Sequence, residues 1–484
     1  MTPTPMLDPT PELFPSSGER VKLDDYLTLA LRDVRTRIPA RRVSPQFDAE
    51  CFRSRLKGFD FQTPLPLREL LPWVIEQLEQ GIVHLTHPRY FGLFNPNPTF
   101  ASECADRIVA ALNPQLATST TSPVPVELEA HVIRAVAARV GFPARAMGHF
   151  TTGGSEANAT ALTCALTRAN PAVGRDGVAA FSGRPVIYVS AEAHLAWHKI
   201  AHQAGIGRSA VRLIDVDDDG RMREASLTDA VTADIAQGNA PVMVVATAGT
   251  TGAGEVDPLA ACAQFARAHR LWYHVDAAWG GGLIASDRLC GALSGIEDAD
   301  SVTIDAHKWF ATTMGCGMFI ARDPAILSDC FHASTTYMPS NEAGIDPYVT
   351  TQQWSRRFLG LRLFLSLAVA GWRGYGAHIE RSVQLAALLK AELQARGWSI
   401  VNHSPMAVVC AEPPFGSASP REIARQIVAS GTAWISTTVF RGRDVVRMCI
   451  TNGQTTPDDI YALVTMLGAF TCNSVTARSY TTLG

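Results

Sequence analysis

Between about residue 150 and residue 320, short apolar runs recur along the chain with helix-forming stretches between them. The runs cover residues 186–189, 211–214, 242–246, 271–275, 302–304 and 318–320. Runs this short and continuous suit strands buried on both faces, and the spacers between them leave room for crossover helices. The alternation confines the chain to the α/β class: a mostly parallel central sheet flanked by helices. Such sheets hold ligands at the carboxyl ends of their strands, and in this chain polar clusters stand where the runs end.

The flanks read differently. A chain of 484 residues exceeds one ordinary core. Residues 1–20 are rich in Pro, Thr and Ser and are expected to be poorly ordered. Helical patterns follow at 23–36 and 67–81, then a loop with His87-Pro88-Arg89-Tyr90-Phe91-Gly92 and Asn95-Pro96-Asn97-Pro98, then a helix over 126–140. After Gly371 come a long helix (377–395), strands at 406–411 and 445–450, and a terminal helix (457–470). The expected division is a helical amino-terminal arm (1–98), a large domain (99–370) and a small α+β carboxyl-terminal domain (371–484).

Composition removes several function classes. Lys and Arg number 42 against 45 Asp and Glu, giving a net charge of -3, and no basic run offers a nucleic-acid surface. The ten cysteines follow neither a metal nor a disulfide spacing and read as reduced thiols of a cytoplasmic protein. The first residues have neither a basic start nor an apolar core, so no signal peptide is expected. The apolar stretch 359–370 carries Arg362 and falls short of the ~20 residues of a membrane span.

Four clusters carry chemistry. Thr151-Thr152-Gly153-Gly154-Ser155-Glu156-Ala157-Asn158 opens an Ala/Leu-rich helix. Exposed N–H groups and the helix dipole there make an anion seat, although Gly-Gly-Ser is equally an ordinary N-cap. Thr247-Ala248-Gly249-Thr250-Thr251-Gly252 places hydroxyls after a strand, as a ligand loop or a plain turn. His274-Val275-Asp276-Ala277-Ala278 ends a buried strand in a carboxylate that needs a partner. That partner is either the next helix or a protonated ligand nitrogen, for which the alanines leave room. Ser301-Val302-Thr303-Ile304-Asp305-Ala306-His307-Lys308-Trp309-Phe310 ends the following strand in a lysine beside two aromatic residues. It reads as a desolvated amine nucleophile or as a lysine snorkelling past core rings.

Taken together, the clusters put a phosphate seat, an acid for a ring nitrogen and an amine nucleophile on one sheet edge. Pyridoxal 5′-phosphate asks for these three groups. The sequence resembles the pyridoxal-phosphate-dependent group II amino-acid decarboxylases, which include the aromatic-amino-acid, glutamate and cysteine-sulfinate enzymes. The resemblance runs from His87-Pro88-Arg89-Tyr90-Phe91 to Arg447-Met448-Cys449-Ile450-Thr451-Asn452 and implies the fold-type I architecture.

The resemblance further implies that Lys308 forms the Schiff base and that Asp276 pairs with the pyridine nitrogen, with Ala278 against the ring. It implies that His194 stacks on the other face, that Gly153, Gly154, Ser155 and Thr251 hold the phosphate, that His307 lies beside the phosphate and Lys308, and that Asp305 is among the cofactor-binding residues. Tyr337 would protonate Cα from a mobile loop that also holds Asn341, Gly344 and Pro347. A phenylalanine at its place goes with aldehyde-forming oxidation. His194 also reads as a helix-start residue and Tyr337 as a packing residue. Phe94, Asn95 and Pro96 stand in the substrate loop. Arg447 meets the substrate carboxylate or makes a structural ion pair.

Two departures from the pattern stand out. Asp305 replaces the usual asparagine, and Pro96 replaces a threonine of the aromatic branch. Asp276-Ala277-Ala278-Trp279-Gly280-Gly281 resembles the glutamate and cysteine-sulfinate branch, whereas Thr336-Tyr337-Met338 and Trp354-Ser355-Arg356-Arg357-Phe358 resemble the aromatic one. The expected activity is decarboxylation of an L-amino acid to its amine by a homodimer with its active site at the subunit interface. An aldehyde synthase, a carbon–carbon lyase or another fold-type I enzyme is the alternative, and a non-enzymatic cofactor binder is a further one. A nucleotide-binding protein lacks both its fingerprint and a Lys after the glycines.

Overall fold

The computed structural model describes residues 13–333 and 346–476. Seven strands form the central sheet: β1 (Met147–Thr151), β2 (Pro185–Ser190), β3 (Val211–Ile214), β4 (Ala240–Thr247), β5 (Trp272–Asp276), β6 (Ser301–Asp305) and β7 (Gly317–Ala321). Their order is β1-β7-β6-β5-β4-β2-β3. The pairs from β3 through β6 are parallel. Strands β2, β5, β6 and β7 are buried along their whole length, which is why the sequence shows continuous apolar runs there.

Two features correct the expected sheet. β7 is antiparallel to both of its neighbours. Only residues 306–316 join β6 to β7, too few for a helical crossover, so the chain can only turn back. β1 has no apolar run to announce it. Gly148 lies so close to β7 that a Cβ there would stand 2.0 Å from Phe319 O, and glycine inside a strand marks this kind of backbone approach.

The helix Gly154–Ala169 begins directly after β1 and crosses β4 to β7. Its Ala157, Ala161 and Ala165 are buried, and such small residues let a helix lie close on a sheet. After β7, a helical run spans Gly360–Gln394, broken at Gly371 (φ 62°, ψ 174°). The stretch 359–370 is therefore a helix in its own right, and the next helix resumes before residue 377. The second sheet consists of β8 (Ser399–Ile400), β9 (Val408–Glu412), β10 (Ser436–Phe440) and β11 (Arg443–Cys449), all antiparallel in the order β10-β11-β9-β8. A helix at Pro457–Thr476 follows.

In the amino-terminal part the helices are Ser17–Arg37, Ala49–Leu56 and Leu67–Gly81, and none of them has a buried residue. The first helix starts inside the stretch expected to lack order, with the Ser16 hydroxyl capping Glu19 N–H. Among the described residues no helix is long and apolar enough to cross a membrane.

Candidate active site

Thr151, Thr247, Asp276 and Asp305 end β1, β4, β5 and β6 at one edge of the sheet. Register holds them together: Thr247 is level with Asp276, and Asp276 is level with Thr303 on the next strand. A cavity of about 280 Å³ opens there. Of the residues singled out in the sequence, Phe94, Gly153, Gly154, Ser155, His194, Thr251, Asp276, Ala278, Asp305, His307 and Lys308 line it.

At one end of the cavity, the N–H groups of Gly154 and Ser155 open a helix and have no acceptor among the described residues. A Cβ on Gly154 would stand 3.0 Å from Asp305 Oδ2 and 3.3 Å from Ala278 Cβ, and one on Gly153 3.3 Å from His307 Cε1. The two glycines thus form a cradle that a side chain would fill. The His307 Nδ1 accepts from Cys316 N–H at 3.2 Å, and burial holds its imidazole below the ordinary value.

Asp276 is 6% exposed. Its Oδ1 accepts from Ala278 N–H at 3.1 Å and its Oδ2 from the Asn158 amide at 2.8 Å. It therefore braces the following turn and still faces the cavity. Lys308 Nζ stands 3.1 Å from Asp305 Oδ2, and His307 Nε2 is 3.8 Å from the same oxygen. Asp305 Oδ1 and Thr247 Oγ1 are buried without a hydrogen-bond partner among the described residues, so the site holds unsatisfied polar atoms of the kind a bound group would complete.

The aromatic surroundings of Lys308 differ from the expectation. Trp309 and Phe310 are fully buried and turn away from it: Trp309 stacks on Trp279 at 4.8 Å, and Phe310 meets the edge of Tyr375 at 5.3 Å. The ring facing the amine is Phe94, whose centroid is 5.9 Å from Nζ. Phe94 in turn stacks on Trp279 at 4.2 Å, so the rings of Phe94, Trp279 and Trp309 form one column running from the cavity into the core.

Of the three residues expected in the substrate loop, Phe94 lines the cavity. Asn95 donates to Met314 Sδ at 3.0 Å, and neither Asn95 nor Pro96 lines the cavity. Arg447 is buried and makes no ion pair among the described residues. It donates to the carbonyls of Thr251 (2.9 Å), Gly252 (3.1 Å) and Gly92 (2.6 Å) and lies 4.7 Å over Phe94. Its Nη2 is left without a partner. A second cleft, lined by Arg447, His194 and Thr251 among others, adjoins the cavity. His194 Nδ1 accepts from Ala196 N–H at 3.1 Å, so the helix-start geometry and a place at the cavity go together. Tyr337, Asn341 and Gly344 lie outside the described residues.

The cavity is also lined by Asn158, Thr247, Gly249 and Trp279, which the sequence did not single out as site residues. Asn158 carried a signal: it is a polar residue on the buried Ala/Leu face of its helix.

A family model, the pyridoxal-dependent decarboxylase conserved domain, matches residues 60–412. The chain belongs to that family. Its fold and cofactor follow from the membership: a fold-type I α/β enzyme using pyridoxal 5′-phosphate, which the free helix N–H groups, the Gly153-Gly154 cradle, the carboxylate and the lysine fit. Among individual decarboxylases, the L-2,4-diaminobutyrate decarboxylase of Rhizobium meliloti is 31% identical over 401 residues, covering 81% of this chain and 79% of that one. The aromatic-L-amino-acid decarboxylase of Bacillus atrophaeus is 27% identical over 447 residues, covering 89% and 91%. The crystal structure of mouse CSAD in apo form aligns with a TM-score of 0.86 and 26% identity, covering 93% of this chain and 99% of that one.

Proposed function

We propose that this decarboxylase takes an L-amino acid to its amine and carbon dioxide at the cavity between β4, β5 and β6. The carrying observation is that Asp276, at the end of β5, and Lys308, in the turn after the adjacent parallel β6, line one cavity with the unpaired helix N–H groups of Gly154 and Ser155. When bound, pyridoxal 5′-phosphate supplies an aldehyde for an amine and a ring that draws electrons from Cα.

The protein groups do the rest. Gly154 and Ser155 N–H, with Gly153, Thr251 and His307 around them, would hold the phosphate, while Asp305 pairs with Lys308 Nζ at 3.1 Å. Asp276 would keep a proton on the ring nitrogen, Ala278 would leave space beside it, and His194 would cover the other face. Lys308 would be the amine that holds the cofactor through its aldehyde. Phe94 and Trp279 keep water from the carboxylate that leaves. Tyr337 would be the acid that supplies a proton to Cα. The unpartnered Arg447 Nη2 supports a role in receiving a substrate carboxylate.

The proposal is tested by screening amino acids for carbon dioxide release with added pyridoxal 5′-phosphate and identifying the amine by mass. No release from any of them removes the decarboxylase reading. Tyr337→Phe is expected to lower amine output and to yield aldehyde and ammonia with oxygen consumed. Unchanged amine output would make Tyr337 structural. Arg447→Lys is expected to raise KM by about tenfold, because an ammonium cannot reproduce the planar fork, with kcat less affected. An unchanged KM would confine Arg447 to tying the loops at Gly92 and Thr251.

The three-part division at 98 and 370 is retained as a proposal. It is supported by the break at Gly371 and by a second sheet built wholly from residues beyond it. We further propose a cytoplasmic homodimer. Exposed Val21, Leu29 and Leu31 on the first helix support an arm that closes on a second copy, and the described cysteines are all free thiols.

A further inference from the structure

Behind Asp276 runs a chain of hydrogen bonds that none of these roles uses. The Trp272 indole N–H donates to Ser301 Oγ at 2.9 Å. Ser301 Oγ lies 2.8 Å from His274 Nδ1. His274 Nε2 lies 3.1 Å from Asn158 Oδ1, and Asn158 Nδ2 donates to Asp276 Oδ2 at 2.8 Å. The placement follows from strand geometry. Trp272, His274 and Asp276 alternate onto one face of β5, and Ser301 is level with His274 on β6. The linking groups are sealed from solvent: His274 and Ser301 are 0% exposed and Asn158 is 3% exposed.

Both ends of this chain are chemically fixed. An indole N–H can only donate, and a carboxylate can only accept. Trp272 therefore occupies one lone pair of Ser301, which leaves its hydroxyl proton free to go to His274 Nδ1. At the other end, Asn158 must turn its NH2 to the carboxylate, so its oxygen faces His274 and accepts the Nε2 proton. The opposite tautomer would set two acceptors against each other at Asn158 or at Asp276, deep in a site where an unpaired polar group is costly. Thr303 Oγ1, 3.3 Å from Nε2, is a second acceptor for the same proton. Burial pushes the His274 imidazole down to about 4 against the pull of Asp276, and the edge-on Trp197 ring at 5.9 Å closes that side.

We propose that His274 is a positioning residue which, as the neutral Nε2–H tautomer, orients Asn158 and through it aims the Asp276 carboxylate at the cofactor's ring nitrogen. A neutral donor chain fixes the direction of the carboxylate without placing a cation beside it, so its charge remains available to the ring. The proposal rests on the assignment of Asp276 to that nitrogen and adds what holds it.

The direct test is the tautomer. In protein labelled with ¹⁵N-histidine, with the His274 signals assigned by their loss in His274→Gln, Nδ1 is expected to be unprotonated and Nε2 protonated across the neutral range, with and without pyridoxal 5′-phosphate. An Nδ1–H tautomer or an imidazolium overturns the proposal. Variants supply the second readout. His274→Phe keeps the volume and removes both ring nitrogens, whereas His274→Gln can keep an N–H near the position of Nε2. His274→Phe is expected to weaken pyridoxal 5′-phosphate binding and lower kcat by about 10- to 100-fold each. It should also displace the visible band of the bound cofactor and leave KM for the amino acid nearly unchanged, and His274→Gln should recover most of the loss. Equal affinity and spectra in His274→Phe and the unmodified protein, or equal impairment in both variants, overturns it. Should His274→Phe not fold, the tautomer measurement decides. A protein that takes up no pyridoxal 5′-phosphate at all overturns the functional reading instead, and the direction of the chain is still measurable.

Discussion

Replacing Lys308 by alanine is expected to lower kcat/KM by on the order of 10⁴-fold or more, the scale seen when a covalent nucleophile is removed. Among the described residues no other lysine lines the cavity, so none of them offers a second amine for the cofactor's aldehyde. The variant also disturbs the site electrostatically. Asp305 is buried and has Lys308 Nζ at 3.1 Å as its nearest cation, while its Oδ1 is already without a partner. Among the described residues, removing the ammonium leaves that carboxylate with only His307 at 3.8 Å, a change costing about 1–3 kcal/mol of stability. Lost activity in Lys308→Ala alone would thus have two explanations. Lys308→Arg separates them, because it keeps the charge beside Asp305 and offers no amine for the Schiff base. Both variants are expected to be inactive, with Lys308→Arg closer to the unmodified protein in thermal midpoint. Borohydride reduction should add the cofactor's mass to the peptide holding Lys308 in the unmodified protein and to no peptide in either variant. Full turnover by Lys308→Ala, or label on a different residue, would end the assignment.

Lys308 and its neighbours are legible in the amino-acid sequence because the chemistry is written at strand ends. The runs at 211–214, 242–246 and 302–304 match β3, β4 and β6 with their boundaries nearly intact; β6 is wholly buried and β4 is buried from Val242 on, whereas β3 is an edge strand that leaves Leu213 exposed. The direction of β7 is signalled only by the short connection that precedes it. β1 is hidden because its interior carries Gly148 and His149, tolerated by close approach to Phe319 and by burial, and neither belongs to a strand signature. In the site, Lys308, Asp276 and the Gly153-Gly154 pair lie within motifs whose spacing places them. The surroundings of Lys308 are misleading in sequence because neighbours after a strand end point in different directions. Trp309 and Phe310 enter the core, and the ring beside the amine comes from Phe94, far away in the chain. Asn158 and His274 are inconspicuous for a related reason: a polar residue inside a buried face shows its purpose only once its partner on another element is known.

Asp276→Asn is the second large effect, expected to lower kcat by about 10²- to 10³-fold, the range for losing one preorganised electrostatic group. The substitution is nearly isosteric, so the loss is one of charge and hydrogen-bond direction. Asp276 Oδ2 receives the Asn158 N–H and Oδ1 the Ala278 N–H. An asparagine at this position must turn its oxygen to one donor and set its NH2 against the other, or face that NH2 into the cavity. In the latter arrangement it opposes a proton on the ring nitrogen, and an unprotonated ring draws electrons from Cα far less strongly. The variant should therefore bind pyridoxal 5′-phosphate more weakly and remain slow when saturated with it, which distinguishes a lost electron sink from a lost cofactor. Asp276→Glu keeps the charge but moves it by one methylene away from Asn158, and intermediate activity is expected. Kinetics of Asp276→Asn equal to those of the unmodified protein at saturating cofactor would show that the carboxylate only braces the turn to Ala278. The His274–Asn158 chain behind it would then be holding a structural corner rather than a catalytic one.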